Sequence, residues 1–145
     1  EIRMGSYFEH LYRYGLKFDQ NRILRIDSAV AQKTDKAVDM VIEHMNRGMT
    51  ALICAADHQA YELIRRLKER GIRVPEDLSV TGYDGIPIPI GMDALTTYNS
   101  HFHEIGVSGM VSLQRRIDHP LASRRHVLVD GDFIGGTTTA PPRVS

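Results

Sequence analysis

The sequence lacks tryptophan and holds one cysteine, Cys54, so no disulfide can close within the chain, which fits a reducing compartment. It also lacks any apolar run near the roughly 18 residues that a membrane-spanning helix needs, and no secretory hydrophobic segment stands among its first residues. An excess of either charge is missing too: 18 Lys and Arg face 18 Asp and Glu. DNA-binding modules normally show a basic excess, because neutralised phosphates and released counterions supply most of their affinity. If the intact protein binds DNA, the contacting part therefore lies elsewhere. Catalytic signatures are absent as well, with no nucleophile elbow, metal-ligand set or cofactor loop. Gly135-Gly136 is followed by no Lys-Ser/Thr and opens no helix, so it is not a phosphate loop. The expectation is a non-enzyme without cofactor or metal.

What is present suits one ordinary globular domain: 145 residues, 42% apolar and 25% charged. The chain opens on Glu1, and Arg3 to Phe8 already reads as a helix in progress, so it is expected to be an interior piece of a longer protein.

Helical stripes alternate with short apolar runs. Met4, Tyr7, Phe8 and Leu11 follow the spacing of one helix face, with Gly15 as its stop. Ile23-Leu24-Arg25-Ile26 is a strand candidate. Val38, Val41, Ile42 and Met45 repeat the helical stripe up to Gly48. Ala51 to Ala56 is too short for most helices and suits a strand buried on both faces of a parallel sheet. Asp57 is placed to cap a helix with Ala60, Leu63, Ile64 and Leu67 inside, ending at Gly71 before Pro75. Leu78 to Thr81 is the next strand and runs into Gly82-Tyr83-Asp84-Gly85. This alternation predicts an α/β, doubly wound parallel sheet, in which ligands bind beyond the carboxyl ends of the strands. Beyond Asp84 the pattern predicts a crossing segment, a strand at Leu95–Tyr98, a helix over 103–117, strand material over 126–134 broken by Asp130-Gly131, and a frayed tail from Thr137.

The run Ala51-Leu52-Ile53-Cys54-Ala55-Ala56-Asp57, followed by Arg70 to Asp84 (RGIRVPEDLSVTGYD), resembles the most recognisable stretch of LacI/GalR transcription regulators. There the pattern is strand, A-N-D, helix, G-x-x-V-P-x-D-x-S-V-x-G-[YF]-D. Leu95-Thr96-Thr97 with Gly106 is similar to the family's L-T-T…G segment, and Arg3 to Leu16 to its first helix, with Ser6 for a glycine. The resemblance implies a two-lobed sensor of the periplasmic-binding-protein-like type I fold. On that reading 1–84 belong to the second lobe, 85–120 are the crossing segment with a first-lobe strand and helix, 121–137 are return strands, and 138–145 are a tail. The DNA-binding headpiece would lie outside this chain.

Carried over position by position, the resemblance implies effector contacts from Arg3, Asp57 in the place of the asparagine of A-N-D, Asp84 of G-Y-D, and Ser100, where a longer polar residue is common. Carboxylates accept from adjacent hydroxyls and a guanidinium donates a fixed fork, a set that suits a sugar. Read without the resemblance, Asp57 is a helix N-cap, Asp84 a turn residue and Arg3 a solvated helix residue. Against the LacI/GalR pattern that the chain resembles, Asp27-Ser28-Ala29 lacks the aromatic that often stacks on the ligand. His101-x-His103 lacks a third ligand and reads as capping or surface histidines rather than a metal site. Cys54 reads as core rather than nucleophile, and the Arg65-Arg66 cluster, interleaved with Glu62 and Glu69, as a solvated face.

The functional expectation is the ligand-sensing part of a cytoplasmic, homodimeric DNA-binding transcription regulator with a small-molecule effector and no membrane association. The alternative is a sugar-binding protein of the same fold serving transport or signalling. The helix over 103–117 is further expected to leave its Val107, Met110, Val111 and Leu113 stripe poorly covered, its partners belonging to the rest of the first lobe, so that a second copy covers it in isolation.

Overall fold

A computed structural model describes residues 2–25 and 34–142. The chain forms two compact units, Glu1–Gly48 and Met49–Ser145.

The first unit holds α1 (Ile2–Arg13), a 3-10 turn (Gln20–Arg22) and α2 (Thr34–Asn46). Asp19 starts the turn by accepting from the Asn21 amide at 2.9 Å, and the His44 ring of α2 reaches the Asn21 carbonyl at 3.1 Å. Phe8 meets Phe18 edge-on at 4.8 Å, while Ala37, Val38 and Val41 supply the buried face of α2. The strand expected at Ile23–Ile26 does not form over Ile23–Arg25. Ile26 and the Asp27–Ala29 segment lie outside the described residues.

The second unit runs β1 (Ala51–Ile53), α3 (Asp57–Glu69), β2 (Ser79–Thr81), β3 (Thr97–Asn99), α4 (Phe102–Asp118) and β4 (Asp132–Ile134). β1 and β2 are parallel, with Leu52 opposite Val80, and α3 crosses between them and packs on β2. This is the βαβ unit expected from the alternation, and its core is Ala60, Tyr61, Leu63, Leu67, Leu78 and Val80. Single parallel bridges join Thr81 to Thr96 and Asp84 to Asn99, and β3 pairs antiparallel with β4, Tyr98 opposite Phe133. The solvent face of α3 carries Arg65 and Arg66 paired with both Glu62 and Glu69.

Two local readings need correction. The segment from Thr137 is not frayed throughout. Thr138 is 2% exposed; its carbonyl accepts from the Val80 amide, and its hydroxyl donates to the Val80 carbonyl at 2.7 Å. The same hydroxyl accepts from the Thr96 amide at 3.0 Å, and Ala140 trades two bonds with the Ser79 hydroxyl. A polar TTT run satisfies the second edge of β2 in this way. Asp130-Gly131 likewise does not turn a hairpin, since only Asp132–Ile134 is strand in that region. Gly131 instead sits against the Tyr98 ring and donates to its hydroxyl at 3.0 Å.

α4 has no buried residue, and Met110 is 67% exposed beside similarly open Val107, Val111 and Leu113. Its apolar stripe is therefore as uncovered in this structure as the sequence predicts. No helix among the described residues is long and apolar enough to cross a membrane.

Candidate functional site

The carboxyl ends of β1, β2 and β3 open into a rim made by residues 55–56, 82–86 and 99–101. Three backbone bonds align it: Cys54 N–H to the Thr81 carbonyl at 2.8 Å, Gly82 N–H to Thr96 at 2.9 Å and Asp84 N–H to Tyr98 at 2.9 Å.

Asp57 lies beneath that rim rather than on it. The residue is 1% exposed and is the first of α3; Ala56 holds the cap position, with no side-chain capping bond. Its Oδ2 accepts from the Gly85 and Ile86 amides at 2.7 and 3.0 Å, and its Oδ1 from the Thr97 hydroxyl at 2.6 Å. The expected N-cap is corrected by this geometry, because the side chain turns inward across the sheet. An effector-facing Asp57 also differs from what is seen: both oxygens are committed to protein donors. Aligned on the carboxylate, A-N-D falls on Ala55-Ala56-Asp57, and the amide position is held by half-buried Ala56. A buried carboxylate with three donors is well satisfied and ties three chain segments together.

The two glycines around Tyr83-Asp84 permit this arrangement. A Cβ on Gly82 would collide with Asp57 Oδ1 and with Leu95. Gly85 takes φ +74°, and a Cβ there would sit 2.6 Å from Asn99 Cα.

Asp84 and Ser100 are brought together on the rim. The Ser100 amide donates to the Asp84 carbonyl at 3.2 Å. Asp84 is half-exposed and has φ 130°, a backbone state that costs a side-chain-bearing residue on the order of 1–3 kcal/mol. The Ser100 hydroxyl is buried and has no hydrogen-bond partner among the described residues. Buried polar atoms are rarely left so. Tyr83 and Tyr98 stack beside this corner with ring centroids 5.4 Å apart. Arg3 stands exposed in the first turn of α1 and belongs to the other unit.

Residues that sequence reasoning did not assign to the site include Thr97, which holds Asp57, and the pair His101–Asp132, with Nε2 to Oδ2 at 2.8 Å. The second threonine of L-T-T was the available signal for the first. Asp132 carried none, since it depends on the pairing of β4 with β3. His101 precedes α4 in a left-handed conformation, and no group of three metal-ligating side chains occurs among the described residues. Cys54 is half-buried behind the rim; burial, and then the Asp57 charge, push its thiol up to about 12.

A parallel βαβ unit that presents a strained acid and a buried hydroxyl at its carboxyl rim has the geometry of an α/β ligand-binding fold. Residues 1–139 match the family described as a periplasmic binding protein-like domain, and the chain belongs to that family. It is similar to the HTH-type transcriptional repressor PurR of Vibrio atlanticus (strain LGP32), at 35% identity over 120 residues, covering 79% of this chain and 34% of that protein. It is also similar to the HTH-type transcriptional repressor CytR of Escherichia coli (strain K12), at 30% identity over 142 residues, covering 97% and 41%. Among solved structures, a LacI family transcriptional regulator from Enterococcus faecium with bound ribose superposes with TM-score 0.68 at 27% identity, covering 76% of this chain and 41% of that one. The chain thus spans about a third to two fifths of the length of the curated relatives it matches.

Proposed function

We propose that this chain is the effector-sensing part of a DNA-binding transcription regulator, and that its effector is a neutral sugar held at the Asp84–Ser100 corner. The observation that carries the reading is the pairing of a strained, half-exposed Asp84 with the unpartnered buried hydroxyl of Ser100 at the carboxyl rim of a parallel sheet. Asp84 accepts from adjacent sugar hydroxyls and Ser100 donates to or accepts from one of them. Asp57 acts from beneath by fixing the loop that carries Asp84. The repressor relatives and the ribose-bound regulator support this reading over a transport protein.

In the intact protein, residues 1–84 belong to one lobe, 85–120 cross to the other, 121–137 return, and a headpiece outside this chain contacts DNA. The protein works as a cytoplasmic homodimer without membrane association, and it catalyses no reaction at this rim. Calorimetric titration of the full-length protein with a panel including ribose, sucrose and cellobiose tests the site. Truncating a buried charged contact costs about 2–5 kcal/mol in binding, so Asp84→Ala is expected to weaken the bound sugar roughly 30-fold or more. Unchanged affinity in that variant overturns the assignment.

A further inference from the structure

The last turn of α4 and the segment after it concentrate positive charge in a chain that is neutral as a whole. Between Leu113 and His126, Arg115, Arg116, Arg124 and Arg125 stand against the single acid Asp118, with His119 and His126 among them. The backbone folds back between the two arginine pairs. His119 N–H donates to the Arg115 carbonyl at 2.9 Å and Ala122 N–H to His119 at 3.0 Å, turning the chain back at the helix end. Arg116 Nη1 then donates to the Ala122 carbonyl at 2.7 Å. Arg125 lines a groove with Ser108 and Ser112, one turn back along α4.

These arginines differ from others in the molecule. Arg13, Arg47, Arg65, Arg66 and Arg73 each pair with a carboxylate on their own element or turn. Among the described residues, Arg115, Arg116, Arg124 and Arg125 have no ion pair, and Asp118 accepts instead from Gln114 at 2.9 Å. The helix dipole accounts for basic residues in a last helical turn. It does not account for Arg124 and Arg125, which follow the helix. All four are arginines, whose planar fork matches phosphate oxygens better than an ammonium does.

Their position adds a direction. α4 starts two residues after Ser100 and runs 17 residues, so its basic end lies roughly 25 Å along the helix from the effector corner. We propose that this arginine cluster holds the phosphate backbone of double-stranded DNA, independently of base sequence, as a second contact besides the headpiece. The proposal rests on the regulator reading and adds a contact from the sensing part itself.

The test measures binding of the full-length protein to a mixed-sequence 40-base-pair duplex between 50 and 200 mM KCl. Each phosphate contact contributes about −0.9 to the slope of log K against log salt. Replacing the four arginines by alanine is expected to flatten the slope by two to four contacts. The ratio of wild-type to variant affinity then shrinks about threefold per contact across that salt range. Sugar affinity stays unchanged, and the four-lysine variant keeps most of the slope. Should the quadruple variant fail to fold, Arg115→Ala with Arg116→Ala, and Arg124→Ala with Arg125→Ala, are each expected to lose about half of the effect. An unchanged slope in the folded variants overturns the proposal while leaving the regulator reading intact, and so does lost binding of an acidic protein at constant DNA slope. Failure of the wild type to bind the duplex overturns both.

Discussion

The Thr97 hydroxyl donates to the Asp57 carboxylate at 2.6 Å, across 40 residues of chain. With the Gly85 and Ile86 amides on the other oxygen, this bond makes Asp57 the fastening point between the start of α3, the loop after β2 and the start of β3. Asp57→Ala would leave three donors without their acceptor, each at about 1–3 kcal/mol where no water replaces it. The expected loss in urea unfolding is at least about 3 kcal/mol, with Thr97→Val costing about 1 kcal/mol. A change below 1 kcal/mol for Asp57→Ala would show that the rim is held by other means.

Gly82→Ala places a Cβ against Asp57 and Leu95. Relief requires moving both a buried carboxylate and a buried leucine, so a loss on the order of 2 kcal/mol or more is expected, in the range of overpacked cores. Gly5→Ala on α1, where an added Cβ meets nothing within 4 Å, is the control and is expected to be neutral or slightly stabilising.

Asp84 permits a comparison that separates strain from binding. Asp84→Gly and Asp84→Ala both remove the carboxylate, and only glycine relieves φ 130°. The glycine variant is expected to be about 1 kcal/mol more stable than the alanine variant, while both lose sugar affinity alike. Equal melting temperatures would mean that Asp84 stores no strain.

Cys54 has its thiol raised to about 12, chiefly by burial and further by the Asp57 charge. At pH 8 the native thiol is expected to react with iodoacetamide far more slowly than in urea, because the thiolate is the nucleophile. The sign for stability follows from linkage. The unfolded thiol ionises first, so the contribution is complete below the ordinary thiol range and is lost as pH rises through that range toward 12. Cys54→Ser, which barely ionises, removes that part of the alkaline decline.

The βαβ unit was legible because its signals are local: an apolar run at Ala51, a 3.6-residue stripe from Ala60 to Leu67, and helices that end two residues before Gly15, Gly48 and Gly71. Sheet geometry put Asp84 at the carboxyl rim, whereas Ser100 entered only through the family resemblance. What was not legible depends on distant chain. An Asp at the first turn of a helix reads as a cap until the loop 28 residues later is seen to supply amides to it. Gly131 reads as a turn until Tyr98 is known to lie opposite. Leu24 reads as strand because apolar residues in a row say nothing about whether a neighbour offers backbone groups.

Thr138→Val tests the segment beside β2. It deletes the bonds to the Val80 carbonyl and the Thr96 amide and leaves both groups buried, so a loss of about 2 kcal/mol is expected. A neutral result would mean that the backbone bond from Val80 suffices.

That same segment sets an order of events during synthesis. β2 can pair with β1 once both have left the ribosome, and Thr96 then meets Thr81 on its other edge, but the Val80 backbone there waits for Thr138, 58 residues further on. At elongation rates of about 5–20 residues per second, the growing chain carries a partly unpaired strand edge for several seconds. The polar threonines that complete that edge are late in the chain, so a pause in translation over residues 82–137 lengthens the interval in which neighbouring nascent chains can pair with β2 instead.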